Sequence, residues 1–222
     1  NMKKLEVNGG IGLLFSRLTI QAPIVKNKVS FIASGRRSYF DLFFPLANNE
    51  VIKDTRLYFY DLNGKINWII NDKNRIYLAG YNGNDVFNLA QSFNTRWGNT
   101  TGSLRWNHLF SEKLFSNTTL VYSNYDYALG AETDAFGFNW LASIENYSGK
   151  IDFTYFLNPK NKIEFGWQNT YYMFRPGRAT GYFEVQDTVQ EFESEIQSIP
   201  AVETALYLSN EQKIGTRLTL AY

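Results

Sequence analysis

Five short polar connections, rich in Asn, Lys, Asp and Glu, punctuate this chain at nearly even intervals. They are Lys26-Asn27-Lys28, Asn71-Asp72-Lys73-Asn74, Ser111-Glu112-Lys113, Asn158-Pro159-Lys160-Asn161-Lys162 and Asn210-Glu211-Gln212-Lys213. They recur roughly every 40 to 50 residues, with longer connections of different composition between them. Each interval therefore holds two extended segments, one leaving a tight turn and one returning to the next. Short turns at one edge and long links at the other are the habit of a transmembrane β-barrel wall.

The spacing predicts ten antiparallel strands, at about 11–25, 29–44, 55–71, 75–87, 96–111, 115–130, 136–157, 163–184, 200–210 and 216–222. Most exceed the ~5–6 residues usual in soluble sheets. They reach or pass the ~9–11 residues a tilted membrane strand needs. Alternation is clearest in the third. Tyr58, Tyr60, Leu62, Gly64, Ile66, Trp68 and Ile70 fall on one face; Asp61, Asn63, Lys65 and Asn67 fall on the other. The same period sets Leu18, Ile20, Ala22 and Ile24 against Arg17, Thr19 and Gln21. It sets Ile151, Phe153, Tyr155 and Leu157 against Asp152 and Thr154, and Ile163, Phe165 and Trp167 against Glu164 and Gln168. Ile66, Trp68 and Ile70 are expected to meet lipid, and Lys65 and Asn67 the lumen. A polar face on consecutive long strands is costly in a dry core but not in a watery lumen.

Composition agrees. Aromatic residues make up 17% of the 222 residues, and mean hydropathy is −0.32. No stretch approaches the ~18 consecutive apolar residues of a spanning helix. A soluble sandwich or propeller also alternates, but strand length, aromatic load and the difference between alternate connections all favour the barrel. A net charge of +1 with no basic patch argues against nucleic acid as a partner. The absence of cysteine excludes thiolate metal sites and disulfide frameworks. Asn1-Met2-Lys3-Lys4 opens the chain without the apolar stretch of a signal peptide, so a processed or partial chain is expected.

The longer connections are expected at about 45–54, 88–95, 131–135 and 185–199. The last carries Asp187, Glu191, Glu193 and Glu195 and reads as a solvated acidic loop with room for a short helical turn. No interdomain linker or low-complexity tract is visible.

Several stretches resemble one family. Gly9-Gly10-Ile11-Gly12-Leu13-Leu14-Phe15-Ser16-Arg17-Leu18-Thr19-Ile20 is similar to the barrel entrance of Bacteroidota-type TonB-dependent outer-membrane receptors, the class with a carboxypeptidase-like regulatory domain. Ser34-Gly35-Arg36-Arg37-Ser38-Tyr39 resembles that family's second strand. The likeness continues through Tyr58–Lys65, Asn71–Leu78, Trp97–Thr101, Leu104–His108 and Leu114–Thr119, and so covers most of the chain. Each stretch is loose; their order and spacing are more specific.

The resemblance implies an all-β fold, part of a 22-strand barrel filled by a plug, with a TonB box ahead of it. This sequence has neither plug nor TonB box. Residues 1–222 are therefore expected to be a partial outer-membrane β-barrel, its first part, with a complete small barrel as the rival. The implied function is import of a nutrient ligand (siderophore, cobalamin, glycan or peptide) across the outer membrane. No cofactor and no covalent chemistry are implied. Partners would be the TonB complex through the N-terminal part, lipid and lipopolysaccharide, and a surface-lipoprotein lid over loop 185–199. The alternative is a passive porin, a structural outer-membrane barrel or an assembly component.

Among residues that might carry chemistry, His108 has no second His or Cys to join, so an interfacial or turn-proximal place is expected. Arg36 and Arg37 are neighbours and should point to opposite faces, one into the lumen. Asp61, Asp126 and Asp152 read as lumen polarity rather than an acid–base pair. Gly80-Tyr81-Asn82-Gly83-Asn84-Asp85 lacks the Lys-Ser/Thr of a phosphate loop and reads as turn or strand-end punctuation. Tyr58, Tyr60, Trp68, Trp106, Tyr122 and Trp167 read as girdle residues at the membrane interfaces, with sugar stacking as the other use of such rings.

Overall fold

The computed structural model describes residues 3–90, 92–186, 188–215 and 218–222. Asn1 and Met2 of the opening, Asp187 of the acidic segment, and Thr216 and Arg217 of the last expected strand lie outside the described residues. The strands are β1 (Glu6–Ile11), β2 (Phe15–Val25), β3 (Val29–Ser38), β4 (Arg56–Asn71), β5 (Asn74–Leu89) and β6 (Phe93–Leu109). They continue as β7 (Leu114–Thr133), β8 (Phe136–Asn158), β9 (Asn161–Val185), β10 (Thr188–Glu195), β11 (Ile199–Ile214) and β12 (Leu218–Ala221). All belong to one antiparallel sheet in the order β1 to β9, then β11 and β12, with β10 also paired to β9. The sheet is open, with β1 and β12 as its edges.

Four expectations need correction. The first segment divides: Ile11 ends β1, and the chain turns at Gly12–Leu14 before β2. The second stops at Ser38, where the serine hydroxyl accepts the Phe59 N–H at 2.8 Å and replaces the next ladder bond. Residues 39–55 then form single helical turns at Phe40–Leu42, Phe44–Leu46 and Glu50–Lys53, the last capped by Asn49 accepting from the Ile52 N–H at 3.3 Å. The long connections expected at 88–95 and 131–135 are tight turns, because β5 to β8 run on past the membrane-sized part of the sheet.

The fourth correction concerns 185–199, where Thr188–Glu195 forms a strand and the described residues hold no helical turn. Glu191, Glu193 and Glu195 alternate with Gln190, Phe192 and Ser194, and β10 pairs with β9 from Thr188↔Val185 to Glu195↔Arg178. β10 and β11 together form one descending line beside β9, interrupted where Pro176 offers no N–H. The 25-residue β9 extends about 80 Å, about two and a half times a tilted crossing.

Opposed residues share a face, so the register sorts the sheet into rows. Val29, Trp68, Ile76, Trp106, Thr118, Ile151, Trp167 and Leu206 form one such row across eight strands. The next row holds Ile66, Leu78, Leu104 and Leu120. This apolar face carries the expected set of β4, Leu62 to Trp68, while Ile70 sits in a bulge between Ile69 and Asn71. Asp61, Asn63, Lys65 and Asn67 occupy the opposite, polar face.

The apolar band spans nine residues along a strand, for example Ile163 to Tyr171. That matches the ~9–11 residues of a membrane crossing. Tyr122, Tyr147 and Tyr171, opposed in one row, bound it above. Trp68, Trp106, His108 and Phe110 lie toward the turns below. The sheet is a transmembrane wall, apolar toward lipid and polar toward the lumen.

Candidate functional site

The luminal face has two zones. At membrane level it is lined by ion pairs and hydroxyls. Just above the band, Arg36 on β3 pairs with Asp61 on β4, and Tyr81 on β5 donates to Asp61 Oδ1 at 2.6 Å. Lys150 lies 3.0 Å from Asp152, which also accepts from the Tyr207 hydroxyl. Lys162 bridges Glu211 at 2.9 Å and Glu164 at 3.5 Å. The Lys65 ammonium sits 5.0 Å from the Tyr77 ring centroid. Such exposed pairs contribute only about 0–1 kcal/mol each to stability. Their effect is to keep the wall wet and charged.

Above the band the same face becomes aromatic. One row runs Leu89, Phe93, Ala131, Phe138, Gly181 and Phe192. The row below runs Leu57, Phe87, Thr95, Leu129, Trp140 and Ala179, and Trp97 stands opposite Tyr127 one row lower. Phe87 and Phe93 rings lie 6.1 Å apart, and Phe183 and Phe192 6.5 Å apart. Small residues make room for the rings: a Cβ at Gly181 would meet the Phe192 ring, and one at Gly177 the Trp140 indole. Phe136 and Phe183 remain 40% and 41% exposed, so the surface is accessible rather than a packed core. The outer face inverts at the same height, carrying Arg96, Asp126, Arg175 and Arg178. The sheet therefore offers an aromatic vestibule above a charged channel wall.

The sequence-predicted residues fall as follows. Arg36 and Arg37 do point to opposite faces: Arg36 joins Asp61, while Arg37 pairs with Asp41 at 2.9 Å and stacks 5.0 Å from the Tyr58 ring. Asp61 and Asp152 are luminal. Asp126 is not: it opposes Gly98 and Ser143 on the outer face and pairs with Arg96 at 3.0 Å. Gly80–Asp85 is neither turn nor strand end but the middle of β5, with Gly80 between Gly64 and Gly102 on the apolar face. His108 Nδ1 lies 2.7 Å from Asn74 Oδ1, with its ring 4.4 Å from Phe110, near the lower turns. Tyr58, Tyr60, Trp68, Trp106, Tyr122 and Trp167 all share the outer face. The vestibule itself was not read from the sequence. Its signal was the alternation of Phe136, Phe138 and Trp140 with Gly137, Asn139 and Leu141.

No protein-family model matches the chain, and no curated protein sequence matches it. Solved structures do. The chain is similar to the copper transporter OprC, with a TM-score of 0.70 and 12% identity, covering 100% of this chain and 36% of that one. It is similar to FyuA, the ferric yersiniabactin uptake receptor from Yersinia pestis, with a TM-score of 0.58 and 11% identity over 96% of this chain and 39% of that one. BauA, the ferric preacinetobactin receptor from Acinetobacter baumannii, gives 0.57 and 9% over 89% and 36%. The fold is that of the strand wall of a large uptake-receptor barrel. The chain spans less than two-fifths of the length of each of these three proteins.

Proposed function

We propose that this chain is part of the barrel wall of an energised outer-membrane receptor that imports a nutrient ligand. The observation that carries the reading is the change of the luminal face from charged and hydroxylated at membrane level to aromatic above it. An aromatic vestibule captures a ligand by stacking and apolar burial, and a wet, charged wall below lets it pass. The shared barrel fold and the family resemblance of Gly9–Ile20 support a receptor over a catalyst, and no covalent step is assigned to any residue. Siderophores, cobalamin, glycans and peptides all present rings or apolar faces suited to such a surface. Force from the TonB complex would act through regions other than the wall. A surface-lipoprotein lid, in this reading, rests on the tip of the β9–β10 hairpin, near Glu191.

The test is uptake by cells carrying the full-length protein, with and without a functional TonB complex. Saturable uptake that collapses when TonB is removed is expected. Uptake that persists, together with steady ion conductance in planar bilayers, would identify a passive porin instead.

A further inference from the structure

At membrane level the luminal wall carries more positive charge than its carboxylates balance. From the row of Lys65 and Ser103 down to the row of Arg75 and Asp152, the luminal face of β4 to β8 holds Lys65, Arg75, Arg105 and Lys150 against the single carboxylate of Asp152. Asp152 is already engaged, paired with Lys150 at 3.0 Å and accepting from the Tyr207 hydroxyl. In the turn below, Asp72 is offset by its neighbour Lys73. Among the described residues no ion pair includes Lys65, Arg75 or Arg105. All three side chains belong to exposed residues.

Tyr77 gathers them. The Lys65 ammonium lies 5.0 Å from its ring centroid and the Arg75 guanidinium 5.9 Å, and Arg75 donates to the Tyr77 hydroxyl at 3.3 Å. Arg105 stands opposite Tyr77 on the next strand, where its Nε donates to Thr119 Oγ1 at 3.3 Å. Single bonds of this kind leave most of each guanidinium fork open. Lys65 also opens onto a luminal cavity of about 460 Å3 that Ser34, Asn63, Tyr81, Thr101 and Ser103 line with hydroxyls and an amide, and that no carboxylate lines among the described residues. A cleft charged with one sign concentrates the opposite ion. Arginine binds two oxygens of a carboxylate or phosphate at once, and lysine adds a point charge beside them.

We propose that Lys65, Arg75 and Arg105 form a luminal subsite for an oxyanion, and that the imported ligand is anionic, carrying carboxylate or phosphate groups as well as the rings that suit the vestibule. The proposal rests on the receptor reading above and narrows its ligand. A cationic ligand would be repelled at this height, and a neutral one would gain nothing from the three charges.

The test places one cysteine at Ser103, which lines the cavity two residues from Arg105, in the full-length protein in native membranes, with any other cysteine replaced first. Its reaction rates with a sulfonate-bearing and a trimethylammonium-bearing methanethiosulfonate, each divided by the rate toward a small free thiol, report the local potential. The anionic reagent should be favoured by about tenfold or more, and Lys65→Gln/Arg75→Gln/Arg105→Gln should abolish the preference. A second measurement needs only the cysteine: citrate or pyrophosphate should slow the reaction, and spermidine should not. Slowing by citrate alone identifies the bound group as carboxylate, and by pyrophosphate alone as phosphate. Equal normalised rates, or a preference for the cation, would mean that an acidic segment of the full-length protein neutralises the three charges, and overturns the proposal. So does an absence of reaction with either reagent, or an anion preference that neither citrate nor pyrophosphate blocks. Dependence of uptake on TonB is recorded separately. TonB-dependent uptake without anion preference removes this subsite and leaves the receptor, whereas anion preference without TonB dependence leaves the subsite in a passive pore.

Discussion

Lys65 and Ile66 are adjacent in β4 and belong to different environments. The Lys65 ammonium stacks 5.0 Å from the Tyr77 ring on the polar face, whereas Ile66 stands between Phe31 and Leu78 on the apolar one. One peptide bond thus separates lumen from lipid, and every assignment on the wall follows from that register.

Arginine at Ile66 should therefore destabilise the folded barrel by roughly 2–4 kcal/mol, the cost of a cation on the lipid face near mid-bilayer. Arginine at Asn67, opposite Ser30 and Tyr77 on the luminal side, should cost far less. Urea unfolding of the full-length protein in lipid vesicles measures both. Equal costs would mean that the register is wrong.

Two glycines give a second contrast. A Cβ at Gly166 would lie 2.5 Å from the Ile151 carbonyl oxygen and 2.6 Å from the Tyr207 ring, while one at Gly102 meets nothing within 4 Å. Gly166→Ala should destabilise by about 1–3 kcal/mol through overpacking. Gly102→Ala should be neutral or slightly stabilising, since alanine loses less backbone freedom than glycine. The same unfolding experiment separates them.

The charged inner wall should contribute little to stability. Asp61→Asn removes the charge that Arg36 meets and keeps an acceptor for Tyr81, so a change of at most about 1 kcal/mol is expected. A loss of several kcal/mol would show that the pair is a structural clamp.

The vestibule makes a binding prediction. Trp97→Ala and Phe138→Ala, each removing an accessible ring from the upper inner wall, should weaken ligand capture by the full-length receptor about five- to tenfold per ring. Folding, followed by heat-modifiable gel mobility, should be unaffected. Unchanged affinity in both variants would move ligand capture away from this surface.

The wall was legible in the sequence wherever the polarity rule holds. β2, β4, β8 and β9 alternate between one apolar and one polar face, and the lower turns announce themselves as Asn-, Lys- and Asp-rich punctuation. Above the band the rule reverses, because neither face meets lipid tails. The sequence of β7 therefore reads Asp126 as luminal, although its neighbours Tyr125 and Tyr127 are the luminal residues. β10 is hidden for a related reason: three glutamates at every second position are a strand pattern, but their charge reads as a solvated loop. β1 is only six residues long and glycine-rich, so it carries too little alternation to be seen.

The most direct test of the central claim is cysteine scanning, since none of these 222 residues is a cysteine and any elsewhere in the full-length protein can be replaced first. Single cysteines at positions 63 to 68 of the full-length protein, in native membranes, can be challenged with a charged, membrane-impermeant thiol reagent. Positions 63, 65 and 67 should react through the watery lumen, and 64, 66 and 68 should be protected by lipid. Uniform reactivity, or the opposite alternation, would contradict a wall whose apolar face looks to the membrane.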